Sequence, residues 1–313
     1  MLNACPNAKS YGGQENSPAE RSTFFEATFP QDGICRMKKI VLPSGTEVPA
    51  LGMGAWKMGE DGRHRSRELT ALRRGIDLGM TLIDTAEMYG EGASEELIGE
   101  AIRGRRREVF LVSKVYPHNA TQNGAVAACD RSLRRLGVER IDLYLLHWRG
   151  SVPLSETLDT FAKLQRAGKI ASFGVSNFDT SDMEEAWGLA HGHDVATDQI
   201  LYNLTRRSVE HDLSPWLRNR HIPVMAYSPV EQGRLLANRK LAPIAAARNA
   251  TPAQIALAWL LAQPDVIAIP KSADAKHVEE NRAAADIALT AEELSALDRA
   301  FPRPAKRKPL EML

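Results

Sequence analysis

The chain has 313 residues, 43% hydrophobic and 25% charged, values that exclude collagen-like and intrinsically disordered chains. Forty basic residues against thirty-nine acidic ones give a formal net charge of +1. No bulk electrostatic attraction therefore draws it to nucleic acid or anionic lipid, and a small molecule is the expected partner. No run reaches the roughly 18 consecutive apolar residues of a membrane span, and the N-terminus lacks the apolar segment of a signal peptide. Cys5, Cys35 and Cys129 form no CxxC pair and leave an odd thiol, which argues against a disulfide framework or a metal site and for a reducing cytoplasm.

At roughly 150 residues per domain, the length suits either two domains or one large barrel, and the pattern decides between them. Residues 1–36 are polar, rich in Gly, Pro, Asn and Ser and without a sustained period, so they read as a disordered leader. KKIVLPSGTEVPALG follows, two short extended segments about a Ser-Gly turn that predict a hairpin. From Leu51 onward, apolar β-forming runs alternate with helical periods. The predicted strands are LGMGAW at 51, TLIDTA at 81, VFLVSKV at 109, IDLYLLHW at 141, SFGVSN at 172, TDQILYN at 197, PVMAYSP at 223 and VIAIPKS at 266. Between them, Leu69, Leu72 and Ile76 mark a helix over 65–79. Leu158, Phe161 and Leu164 mark another over 154–167, stopped by Gly168. Eight strands, each followed by a helix, predict an α/β fold: a (β/α)8 TIM barrel over 37–313 with an N-terminal β-hairpin cap. A doubly wound nucleotide-binding sheet is disfavoured, because Gly52-Met53-Gly54 meets Lys57 and Gly90-Glu91-Gly92 meets Glu95, so neither completes GxGxxG. Both are read as turn glycines.

Barrel chemistry sits at the C-terminal strand ends. There TLIDTA supplies Asp84 with Tyr89 beyond it, VFLVSKV supplies Lys114, IDLYLLHW ends near His147, and SFGVSN ends in Ser176 and Asn177. An ammonium inside FLVSKV needs a counter-charge, and Asp84 on the neighbouring strand is placed to give it. A bare buried ion pair explains these two residues equally well; Tyr89 and His147 add chemistry. A lysine beside a phenol is expected to lower its pKa. Tyr89 could then protonate a substrate oxygen to which His147 also hydrogen-bonds.

These residues resemble the aldo-keto reductase family, whose Asp, Tyr, Lys and His tetrad matches Asp84, Tyr89, Lys114 and His147. The resemblance spans about residues 37–313 and rests on GIDLGMTLIDTAEMYG, FLVSKV, DLYLLHW, GVSNF, QILYN, AYSP and IPKS in family order. MGEDG, LIDTAEMYG, LVSKVYPHNA and LYLLHWRGS are most similar to bacterial methylglyoxal reductase-like members. The resemblance implies an NADPH-dependent oxidoreductase that reduces aldehydes or ketones, methylglyoxal among them. It implies that Ser176, Asn177 and Gln199 hold a nicotinamide carboxamide, that Tyr227 stacks on its ring with Ser228 beside it, and that Lys271 and Ser272 meet the 2′-phosphate, with Glu280 and Asn281 near the adenine. His277 stands where many NADPH-preferring members carry arginine, which leaves NADH possible and lowers the expected preference for NADPH. Trp56, Trp148 and Tyr116 are expected to line the substrate pocket, with Phe178 a further candidate. The alternative is a cofactor-binding regulatory protein on the same scaffold, as in the similar potassium-channel β subunits.

Other residues take plainer readings. Cys129 falls at an apolar helical spacing and reads as a small buried hydrophobe. His191 and His193 lack a third ligand nearby, and His64, His118, His211 and His221 have no partner pattern. Asp142 begins its strand and is expected to stabilise the opposite face, and RGRRR at 103–107 reads as a solvated cluster. Only FPRPAKRKPLEML follows the last predicted helix, so the site is expected to be open and to take small or varied carbonyls. A monomer is expected.

Overall fold

The computed structural model of the protein describes residues 37–313; the predicted leader, with Cys5 and Cys35, lies outside the described residues. Two short strands, β1 (Lys39–Val41) and β2 (Glu47–Pro49), pair antiparallel with Ile40 opposite Val48, as the hairpin pattern predicts. Eight parallel strands follow in strict sequential order. They are β3 (Met53–Gly54), β4 (Leu82–Asp84), β5 (Phe110–Val115), β6 (Ile141–Leu146), β7 (Ile170–Ser176), β8 (Val195–Leu201), β9 (Val224–Tyr227) and β10 (Val266–Ala268). The sheet closes on itself: Leu51 bridges Ala268, Gly54 bridges Lys271, and Gly52 N donates to Ala268 O at 2.8 Å. Helices fill the connections, beginning with α1 (Arg65–Asp77), α2 (Ala93–Ala101), α3 (Gln122–Leu136) and α4 (Leu154–Arg166). Gly137 and Gly168 follow the last two of these in the left-handed conformation that glycine adopts without strain. Among the described residues no helix is long and apolar enough to cross a membrane.

The period of two along each strand explains the two cores. Leu82, Val112, Leu143, Leu145, Met225, Ile267 and Ile269 fill the barrel, and Ile40, Leu42 and Val48 of the hairpin join that inner cluster as its plug. The alternate residues Ile83, Leu111, Tyr144 and Phe173 face outward into the shell shared with Leu72, Leu97, Leu158 and Phe161 of the helices. Continuing each inward row by two residues reaches Asp84, Lys114, His147, Tyr227 and Lys271, so one alternation builds the core below and a polar rim above.

Gly90 and Gly92 are turn glycines, with φ of +56° and +99°. The turn reading of Gly52 and Gly54 is corrected: they lie beside and within β3, where a Cβ would come 2.7 Å from Leu82 O and 2.9 Å from Ile269 O, so close packing of the strands requires them. At the opposite end, Asp142 accepts from Leu111 N at 2.7 Å and pairs with Arg106 at 2.8 Å, the stabilising part expected of it. Arg105 pairs with Asp77 and Glu108, so part of the basic run is neutralised locally. Cys129 is fully buried, its thiol pushed up to about 12 mainly by burial.

Candidate active site

Lys114 is fully buried on β5, and register places it one strand from Asp84. Its ammonium lies 2.8 Å from both Asp84 carboxylate oxygens and donates to Thr85 O at 2.7 Å and Tyr89 OH at 3.2 Å. Burial pulls the ammonium below its ordinary range, and Asp84 opposes that pull. The His147 ring meets that of Tyr89 edge-on, with centroids 5.8 Å apart. Burial, and then the Lys114 charge, push its pKa down to about 2, so the imidazole is neutral. Its Nδ1 has no hydrogen-bond partner among the described residues.

The expectation for Tyr89 is corrected in sign. Its pKa is raised well above the ordinary phenol value, because burial disfavours phenolate and the Asp84 carboxylate adds repulsion. The lysine reaches the phenol, but Asp84 neutralises it at closer range. The group is therefore a stored proton, protonated at any working pH, and Lys114 matters only as charge develops on the oxygen.

A second set of bonds surrounds Asn177, which follows β7 at φ +59°. Its Nδ2 donates to His147 O and to Ser176 Oγ, each at 3.1 Å, and its Oδ1 accepts from Tyr227 OH at 2.9 Å. Ser176 Oγ and Asn177 N both donate to Gln199 O. The Gln199 amide nitrogen reaches back to Asp84 Oδ1 at 2.7 Å, tying this turn to the tetrad. Amide donors and acceptors stand side by side within reach of the Tyr227 hydroxyl, a set that suits a carboxamide on a flat heterocycle.

Three of the four tetrad residues, Asp84, Tyr89 and His147, line one cavity of about 890 Å³, together with every predicted cofactor residue: Ser176, Asn177, Gln199, Tyr227, Ser228, Lys271, Ser272, Glu280 and Asn281. Trp56, Trp148 and His277 also line it. The Lys271 side chain makes no hydrogen bond or salt bridge among the described residues, so a cation without a fixed counter-ion stands at the mouth, beside the Ser272 hydroxyl. A long ligand with an amide at one end and an anionic group at the other fits this donor set.

Two pocket expectations are corrected. Tyr116 is not among the lining residues; its ring stacks on His118 and meets Trp148 edge-on, so it backs the wall. Phe178 is fully buried in the outer shell. Sequence reasoning also missed Lys57 and Met88, the turn at Pro229, Val230, Gln232 and Gly233 with Leu236 beyond it, and Met312 and Leu313. The C-terminal segment, though short, reaches the cavity. His191 sits 3.2 Å from Asp194 and His193 stacks on Trp187, ordinary surface contacts.

Comparison with known proteins accords with this geometry. The aldo/keto reductase family pattern matches residues 50–301. Methylglyoxal reductase YeaE of Escherichia coli is 48% identical over 283 residues, covering 89% of this chain and all of the relative. Glyoxal reductase of Bacillus subtilis is 33% identical over 262 residues, covering 83% of this chain and 91% of the relative. A crystal structure of an aldo/keto reductase from Klebsiella pneumoniae in complex with NADP and acetate superposes with a TM-score of 0.87 at 48% identity, over 89% of this chain and all of that one.

Proposed function

Starting from the premise that the chain belongs to the aldo/keto reductase family, we propose that it reduces small carbonyl compounds such as methylglyoxal with NADPH, and that Tyr89 is the proton donor. The observation that carries this reading is one cluster in which buried Asp84, Lys114 and neutral His147 meet the half-buried Tyr89 at the floor of the cavity. Bound there, the nicotinamide supplies the hydride.

The residues of the chain perform the rest. Ser176, Asn177 and Gln199 offer the carboxamide its partners, Tyr227 fixes which ring face is presented, and Lys271 with Ser272 balances the 2′-phosphate. His147 holds the substrate oxygen while staying uncharged, so it does not compete for the proton. Tyr89 gives up its proton as negative charge builds on that oxygen. The Lys114 ammonium, 3.2 Å from the phenol oxygen, stabilises the phenolate in the transition state, where such help accelerates the reaction. Asp84 and Thr85 O keep the lysine in place. The relatives named methylglyoxal reductase and glyoxal reductase support an enzyme over a channel-subunit-like protein. The reading extends to a cytoplasmic monomer acting on free metabolites.

Initial rates of NADPH and NADH oxidation across a panel of glyoxal, methylglyoxal and simple aldehydes test the proposal. Turnover of dicarbonyls with a higher kcat/KM for NADPH is expected. Rates at background for the whole panel would overturn it.

A further inference from the structure

Arg206, just beyond β8, touches neither the tetrad nor the turn around Asn177, yet it joins two walls of the cavity. Its Nε and Nη2 donate to Glu231 Oε1 at 3.1 and 2.7 Å, and its Nη1 donates to Glu311 Oε1 at 2.5 Å. The Glu231 side chain is 6% exposed, and its other oxygen accepts from Asn203 Nδ2 at 2.8 Å. Arg234 also approaches Glu231, but at 3.4 Å and with 64% of its side chain exposed, a contact that solvent screens.

Each wall depends on that anchor. The first is the turn after β9, where Ser228, Glu231 and Gln232 all have φ near +50° and Gly233 follows at +89°. Non-glycine residues in that region are strained, so the turn keeps its shape only while Glu231 and the Ser228 carbonyl, which accepts from Asn203, are held. The second wall is the segment 304–313, which has no regular secondary structure. It is pinned in sequence by His211 on Pro304 O, Arg307 on Asp212, Ser208 on Lys308 and finally Arg206 on Glu311. Met312 and Leu313, directly after that last pin, line the cavity. One guanidinium thus holds both walls, with one further contact beyond it, from the Leu313 backbone to Tyr227.

We propose that Arg206 is a positioning residue that couples the 228–237 turn to the 304–313 segment, so that both walls loosen together when a dinucleotide enters or leaves. This gating rests on the NADPH reading above; the coupling between walls does not. Glu311→Gln weakens only the second anchor and Glu231→Gln only the first, while Arg206→Lys keeps a charge but cannot fork to both carboxylates.

Hydrogen-exchange mass spectrometry on the ligand-free full chain reads the coupling. Glu311→Gln is expected to speed exchange in 228–237 as well as in its own segment. Glu231→Gln is expected to do the converse, and Arg206→Lys to loosen both. NADPH dissociation, followed by stopped-flow fluorescence, should become roughly five- to tenfold faster in each variant, the difference between a charge-assisted hydrogen bond and a neutral or unforked one. Loosening confined to the substituted segment would overturn the coupling. Faster exchange with unchanged dissociation would overturn the gating. A wild-type chain that does not bind NADPH would overturn the proposed function, while the exchange pattern would still decide the coupling.

Discussion

Asp84→Asn isolates the charge that makes Lys114 tolerable. The substitution keeps the shape of the side chain and removes only its negative charge, leaving a fully buried ammonium with Thr85 O and Tyr89 OH. Asp84 also accepts from both Lys114 and Gln199, and an asparagine can offer its single carbonyl oxygen well to one of them. Breaking a buried pair in this way costs about 3–5 kcal/mol. At about 2–4 °C per kcal/mol for a domain of this size, the melting temperature should fall by roughly 6–20 °C near neutral pH. The pH dependence is the sharper readout. Burial already lowers the Lys114 pKa in the native state and Asp84 opposes it, so removing Asp84 lowers it further. The unfolded chain then binds a proton that the native state lacks, over a window ending near the ordinary lysine value. Stability in that window rises with pH. Scanning calorimetry from pH 6 to 10 should therefore show the gap between wild type and variant narrowing as pH rises. A variant as stable as wild type, or a gap independent of pH, would refute the reasoning.

Two further expectations follow from the same geometry. Lys271→Ala removes the cation at the cavity mouth and should weaken NADPH binding about tenfold while leaving NADH binding nearly unchanged, as read by protein fluorescence titration; equal weakening of both would remove the 2′-phosphate contact. Asp198 is fully buried with Oδ2 unpartnered, and burial raises its pKa well above the ordinary value. The native state then holds a proton that the unfolded chain releases as pH rises above the carboxylate range, so Asp198→Asn should gain stability over wild type with increasing pH in thermal melts.

The barrel was legible because each strand is a short apolar run whose alternation also names the residue at its upper end: Leu82 leads to Asp84, Val112 to Lys114, and Leu143 and Leu145 to His147. The cofactor residues, by contrast, came from family resemblance. What the sequence hid was set by contacts distant along the chain. Met312 and Leu313 reach the cavity because Arg206 and Ser208, a hundred or so positions earlier, pin their segment. The turn at 229–233 carries left-handed non-glycine residues that no turn signature announces. Tyr116 was misplaced because position after a strand says nothing of where a ring stacks. The Tyr89 shift was misjudged because a lysine nearby is visible in sequence, whereas burial and the competing nearness of Asp84 are not.

The central claim is that Tyr89 delivers the proton, and Tyr89→Phe tests it most directly. The substitution removes one hydroxyl and leaves Lys114 with Asp84 and Thr85 O. NADPH affinity should stay within about twofold of wild type while kcat for methylglyoxal reduction falls by roughly 10²–10⁴. A phenylalanine variant that turns over at the wild-type rate would contradict the account.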